Sequence, residues 1–213
     1  MPHSTKICLI RHGETDWNVV HRLQGHTDIP LNATGLAQAE ATATVLQSVH
    51  FDAMYCSDLL RAAKTARIIA APKKQQVIAE PRLRERHFGA FQGLTWDEAK
   101  ERYPSHYTPL RERVAQATPP QGGESLAEFS NRITTVLQEI ASRHPGQTVL
   151  VVCHGGCLDV AYRAATGKPL SAHRDFPLGN ATLNWLSINP QGWRLDKWNE
   201  ENHLVDTREE VST

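Results

Sequence analysis

An α/β sandwich with a mostly parallel central sheet of about six strands is the fold this sequence predicts. Two observations predict it. Short, continuous apolar runs such as Ile7-Cys8-Leu9-Ile10 and Val149-Leu150-Val151-Val152 suit strands covered on both faces. Between such runs lie segments with apolar residues at three- and four-residue spacing, the period of an amphipathic helix. Strands alternating with helices give βαβ units, and those give a parallel sheet.

The elements follow in order. After the first strand, residues 34–49 form a helix, with Leu36, Ala39, Ala43 and Leu46 on the buried face. Ala53–Cys56 is the next strand, and Asp58–Ala71 is a helix stopped by Pro72. Val77–Ala79 is a third strand, leading into Leu83-Arg84-Glu85. The stretch from Thr95 to about Thr118 holds a short helix and an irregular, Pro-containing run outside the main layers. Ser125–Arg143 is the strongest helix: Leu126, Phe129, Ile133, Val136, Leu137 and Ile140 make its stripe, and Ser125 with Glu128 makes a capping box. Val149–Cys153 is a fourth buried strand, Cys157–Thr166 a helix, and Ala181–Ile188 and Trp193–Trp198 two closing strands.

Composition narrows the function. With 40% apolar and 22% charged residues, the 213-residue chain is that of a globular protein, and it has no repeat or linker that would divide it. One domain over 1–213 is expected, with a lid-like insertion around 94–123. Its 23 basic and 23 acidic residues balance, so there is no basic field for nucleic acid and no polybasic membrane patch. The apolar runs are too short to cross a bilayer, and the first residues lack the apolar stretch of a secretory signal. A cytoplasmic protein is therefore expected. Cys8, Cys56, Cys153 and Cys157 read as buried free thiols. Cys153-His154-Gly155-Gly156-Cys157 lacks a second ligand pair of zinc-like spacing, so neither metal nor cofactor is expected. Residues 1–5 and about 206–213 have no apolar pattern and are expected to be loosely held.

In parallel sheets ligands bind beyond the carboxyl ends of the strands. Four such ends deliver Arg11-His12-Gly13-Glu14-Thr15, Ser57-Asp58-Leu59-Leu60-Arg61, Glu85 and His154-Gly155-Gly156. Two histidines, two arginines and a carboxylate on one sheet edge are what a phosphate monoester needs without a metal. Guanidinium forks bind two phosphate oxygens at once, and Gly13 and Gly155 let backbone approach the ligand. A neutral imidazole can attack phosphorus, a protonated imidazole such as His154 can serve as a cationic donor, and Glu85 can move the proton. Spacing alone does not decide which histidine attacks.

Six segments in order resemble the histidine phosphatase superfamily, in its phosphoglycerate-mutase-like branch. They are Arg11-His12-Gly13-Glu14-Thr15 with Asp16-Trp17-Asn18, Gln24-Gly25, Ser57-Asp58 with Arg61, Leu83-Arg84-Glu85 with Phe88-Gly89, Gly122-Gly123-Glu124-Ser125, and Val152-Cys153-His154-Gly155-Gly156. The resemblance implies a three-layer α/β/α fold and a covalent phosphohistidine at His12. It also implies a phosphate pocket of Arg11, Arg61 and His154, with Glu85 as proton donor. Asn18, Gln24 and Gly25 would contact the substrate, a small phosphorylated metabolite, as would Thr15, Gly155 and the C-terminal His203. Glu14 is expected to orient Arg11 or the loop, and Trp96, Tyr103, His106, Tyr107, Arg111 and Arg113 are candidates for the wall over the leaving group.

Glu85 and His154 stand 69 positions apart, a shorter interval than in primer-dependent mutases of the family, which favours hydrolysis over phosphoglycerate mutase activity. A catalytically silent binding module is the remaining alternative, and the presence of all five core groups argues against it. Phe88 stands where the metal-independent phosphoserine phosphatases carry His, which counts against phosphoserine as the substrate. Trp185, Trp193 and Trp198 fill either the core or an interface, which leaves a homodimer open.

Overall fold

Residues 4–205 and 207 are described by the computed structural model. Their chain builds β1 (Thr5–Arg11), α1 (Asp16–Val19), α2 (Ala33–Val45), β2 (Ala53–Cys56), α3 (Leu60–Ala70), β3 (Val77–Ala79), α4 (Trp96–Arg102), α5 (Pro104–Arg111), α6 (Leu126–Arg143), β4 (Thr148–Cys153), α7 (Gly155–Thr166), β5 (Leu183–Asn189) and β6 (Gly192–Glu200). One sheet results, ordered β3-β2-β4-β1-β5-β6. The β1–β4, β2–β3 and β2–β4 pairs run parallel, whereas β5 pairs antiparallel with both β1 and β6. The sheet is thus mostly parallel, with an antiparallel hairpin on one flank.

Each face of the sheet has its own core. Ile7, Leu9, Val149, Val151 and Cys153 point to one side and pack against α6 and α7 through Phe129, Ile133, Leu137, Leu158 and Ala161. The alternate residues Cys8, Ile10, Leu150 and Val152 point to the other side and meet Ala62, Ala66 and Ile69 of α3 and Ala43 of α2. This alternation is the period of two that a doubly covered strand shows, and it produces the three layers. Trp185 packs on the second core, while Trp193 and Trp198 pack on the first.

The stripe and capping box of α6 form as the sequence predicts, with Ser125 Oγ accepting from Glu128 N at 3.1 Å. Helix α2 differs. It begins at Ala33 on an Asn32 cap and ends at Val45, and its buried face is Gly35, Gln38, Ala39, Thr42 and Ala43. Leu36, expected inside, is 36% exposed, because this face packs through small residues and not through leucine. Thr5, expected to be loosely held, belongs to β1, and its hydroxyl lies 2.7 Å from both the Ala141 and the His144 carbonyl oxygens. The rest of the loosely held calls fall mainly on residues 1–3, 206 and 208–213, which lie outside the described residues. The four cysteines are free and buried.

The stretch expected to hold one short helix and an irregular run contains two helices, α4 and α5, on a small apolar cluster of its own, built on Phe91, Leu94, Ala99 and Leu110. Arg22 ties this segment to the loop after α1, contacting Glu98 at 2.6 Å and donating to the Gly93 carbonyl. On the opposite side Arg113 reaches Asp159 of α7 at 2.6 Å and the Leu170 carbonyl at 2.6 Å. Among the described residues no helix is long and apolar enough to cross a membrane.

Candidate active site

A cavity of about 850 Å³ opens beyond the carboxyl ends of the parallel strands. Arg11, His12, Asn18, Gln24, Gly25, Arg61, Glu85 and Gly155 line it.

His12 follows β1 and is 3% exposed. Its ring Nδ1 lies 2.7 Å from the Gly13 carbonyl oxygen. A carbonyl only accepts, so Nδ1 carries the proton and Nε2 keeps a bare lone pair. Burial, then Arg61 and Arg11, hold the imidazole well below its ordinary pKa, so it stays neutral. His154, fully buried at the start of α7, sits with its ring centroid 5.2 Å from that of His12. Its pKa too is held well below the usual value, by burial first and then by Arg61 and His12. The expected protonated His154 is therefore not the form the free site holds.

The two arginines are placed for an anion. Arg61 is fully buried and donates to the Thr27 and Gly25 carbonyls, each at 2.8 Å, and burial lowers its pKa to about 10. Arg11 donates to the Leu178 carbonyl at 2.6 Å. Among the described residues neither forms a salt bridge, and Arg11 Nε, Arg61 Nε and His154 Nδ1 are buried without hydrogen-bond partners. Unpartnered buried donors are costly, and a phosphate dianion would satisfy all three. Glu85 stands beside them. Its Oε1 accepts from Arg86 N at 2.8 Å and its Oε2 from Gly156 N at 2.9 Å, so two backbone donors aim the carboxyl.

The secondary candidates separate into two groups. Asn18 Oδ1 is engaged by Thr15 N at 3.1 Å and Thr15 Oγ1 at 3.0 Å, which leaves its amide NH₂ for a ligand. Thr15 itself does not line the cavity; it is buried, caps α1, and accepts from Gln24 Nε2 at 2.7 Å. His203 is also outside the lining, with its Nε2 3.2 Å from Thr42 Oγ1 and 3.1 Å from the Ala181 carbonyl. Gly13 serves packing and not ligand approach: a Cβ there would meet the Gly35 carbonyl oxygen at 2.3 Å. Glu14 accepts from Asn32 at 2.9 Å, which fixes the loop as expected. Of the wall candidates Trp96, Arg111 and Arg113 line the cavity, with Arg111 4.9 Å above the Trp96 ring, whereas Tyr103, His106 and Tyr107 do not.

Sequence reasoning missed Arg86, Asp159, Arg174 and Asn180, all in the lining. Asp159 and Arg163 did leave a signal, as charged residues within the otherwise apolar run of α7. Asn180 left none, since it lies in an aperiodic turn before β5; its Nδ2 donates to the His12 carbonyl at 2.8 Å. Among the described residues no cluster of three or more His, Cys, Asp or Glu is arranged to hold a metal ion.

A family model described as "Histidine phosphatase superfamily (branch 1)" matches residues 7–201. The chain belongs to this family. It is 40% identical over 202 residues to the "Metal-independent phosphoserine phosphatase" of Arabidopsis thaliana, covering 94% of this chain and 83% of that protein. It is 38% identical to "Phosphoglycerate mutase-like protein 4" of the same plant, covering 95% of this chain and 88% of the relative. Among solved structures, Bacillus stearothermophilus YhfR superposes with a TM-score of 0.87 at 30% identity, covering 94% of this chain and 99% of that one. Phosphatase-named and mutase-named relatives thus share this histidine phosphatase fold.

Proposed function

We propose that this histidine phosphatase hydrolyses phosphate monoesters of small metabolites through a covalent phosphohistidine at His12. The observation that carries the reading is the 2.7 Å contact of His12 Nδ1 with the Gly13 carbonyl, because it leaves Nε2 as a neutral nucleophile. Nε2 attacks phosphorus as the bond to the ester oxygen breaks, and Glu85 gives its proton to that oxygen. Water then attacks the phosphohistidine, Glu85 takes the water's proton, and the P–N bond breaks to restore the lone pair. Arg11, Arg61 and His154 hold the phosphoryl oxygens throughout, where charge shifts in the transition state.

Asn18, Gln24, Gly25 and Gly155 contact the substrate, while Thr15 and His203 act from behind the cavity wall. The 94–123 segment is the lid over the leaving group. The arginines of the wall suit a leaving group with an anion of its own. Phosphoserine meets that description, and the likeness to a protein named for phosphoserine outweighs the contrary expectation drawn from Phe88 alone. It is the first ester to assay.

The test replaces His12 by Ala and follows hydrolysis of an aryl phosphate and of phosphoserine. Turnover should fall by about three orders of magnitude or more, and the wild-type protein quenched during turnover should carry an acid-labile phosphoryl group on His12. Robust turnover by His12→Ala would refute the mechanism. The mutase reading, which the second relative's name supports, gains if phosphoglycerate isomerisation stimulated by bisphosphoglycerate exceeds hydrolysis.

A further inference from the structure

Ser57 directly follows β2 and is fully buried, as is His154. Ser57 Oγ lies 2.9 Å from His154 Nε2 and accepts from Leu59 N at 3.3 Å. Among the described residues its side chain has no other hydrogen-bond partner. The hydroxyl proton therefore has one destination, the lone pair of Nε2. The reverse arrangement, with Nε2–H donating to Oγ, would place two donors on the oxygen and leave its own proton without an acceptor. In a dry interior an unmatched hydroxyl proton is costly. With Nε2 accepting, the ring proton of the neutral imidazole sits on Nδ1. Nδ1 is the buried, unpartnered atom of this ring, accompanied by the unpartnered Nε atoms of Arg11 and Arg61.

We infer that Ser57 is a positioning residue that fixes His154 as its Nδ1–H tautomer, so that His154 serves the transferring phosphoryl group as a neutral hydrogen-bond donor. The inference rests on the phosphohistidine reading for its functional half. The two histidines then have opposite polarity: His12 offers a bare nitrogen and His154 an N–H, although their rings stand side by side. Burial among cationic neighbours opposes protonation of His154, and the tautomer supplies a donor without it. A hydroxyl acting through a histidine in this manner resembles the outer partners that set the tautomer of metal-bound histidines.

The test uses the full chain labelled with ¹⁵N in its imidazoles, with His154→Asn to assign the resonance. In the wild type, His154 should show a protonated Nδ1 and a pyridine-like Nε2. Ser57→Ala should shift the ring toward the Nε2–H tautomer or an exchanging mixture. It should also lower kcat for an aryl phosphate by about 10- to 100-fold, with KM moving less than about threefold. Ser57→Thr keeps the hydroxyl and should retain most of kcat. A protonated Nε2 in the wild-type spectrum overturns the inference, as does a Ser57→Ala protein with unchanged kcat. Should Ser57→Ala fail to fold, the wild-type spectrum still decides. The spectrum is read without turnover, so an active His12→Ala protein would refute the phosphohistidine while leaving the tautomer standing.

Discussion

Gly156 is where the candidate acid can be moved without being altered. A Cβ at this position would lie 2.2 Å from Glu85 Oε1 and 3.0 Å from the Phe129 ring. The first distance is more than ~1 Å short of ordinary van der Waals contact, so in Gly156→Ala the carboxyl must shift by about that much. It cannot swing freely, because Arg86 N and Gly156 N each hold one oxygen. A catalytic group misplaced by ~1 Å can cost about 100-fold in rate, which corresponds to about 2.7 kcal/mol of barrier. The assay is kcat on two esters, an aryl phosphate with a good leaving group and an alkyl phosphate with a poor one. The alkyl ester should suffer the full loss, since its leaving oxygen depends on the proton, and the aryl ester less. Glu85→Ala supplies the control: with the carboxyl gone only the milder approach to Phe129 remains, so adding Gly156→Ala should cost little more in kcat. Two results would refute the reasoning. One is a Gly156→Ala enzyme within threefold of wild type on the alkyl ester, and the other is a double mutant whose losses simply add.

Two further outcomes concern stability. His12 and His154 both have pKa values well below the usual histidine value, so below pH ~6.5 the unfolded chain binds protons that the folded one refuses. Their contribution is complete above that pH and is lost as the pH falls through it, at up to ~1.4 kcal/mol per unit for each ring. Urea unfolding at pH 7.5 and 5.5 should show the loss, and replacing both histidines by Asn should flatten the slope; an equal slope would contradict the burial argument. Asp159 answers both Arg113 and the buried Arg163. Asp159→Ala should therefore destabilise by ~3 kcal/mol or more in chemical denaturation, and a loss under ~1 kcal/mol would mean these charges are solvated.

The layers were legible because buried strands and α6 write their burial into short-range patterns. Helix α2 was less so, because Gly35, Ala39 and Ala43 pack by being small and leave Leu36 outside. The strand ends brought His12, Arg61 and Glu85 to one cavity in the way their positions in the alternating pattern suggest. Position in the chain could not say which nitrogen of a histidine is bare, since that depends on Gly13 and Ser57 at hydrogen-bond distance. Nor could it place His203, whose partners Thr42 and Ala181 are set by tertiary packing alone. Asn180 was invisible for the same reason.

Strand β1 is made well before its neighbours in the sheet, β4 and β5, with Leu9 opposite Val151 on one side and Asn184 on the other. At ribosomal speed those partners emerge about 10–30 s later. Until then Ile7-Cys8-Leu9-Ile10, fully buried in the finished protein, has no sheet to enter. The nascent chain thus carries this apolar run unpaired until β4 and β5 emerge, and chaperone dependence of the yield should be set by β1 sooner than by a strand whose partners precede it.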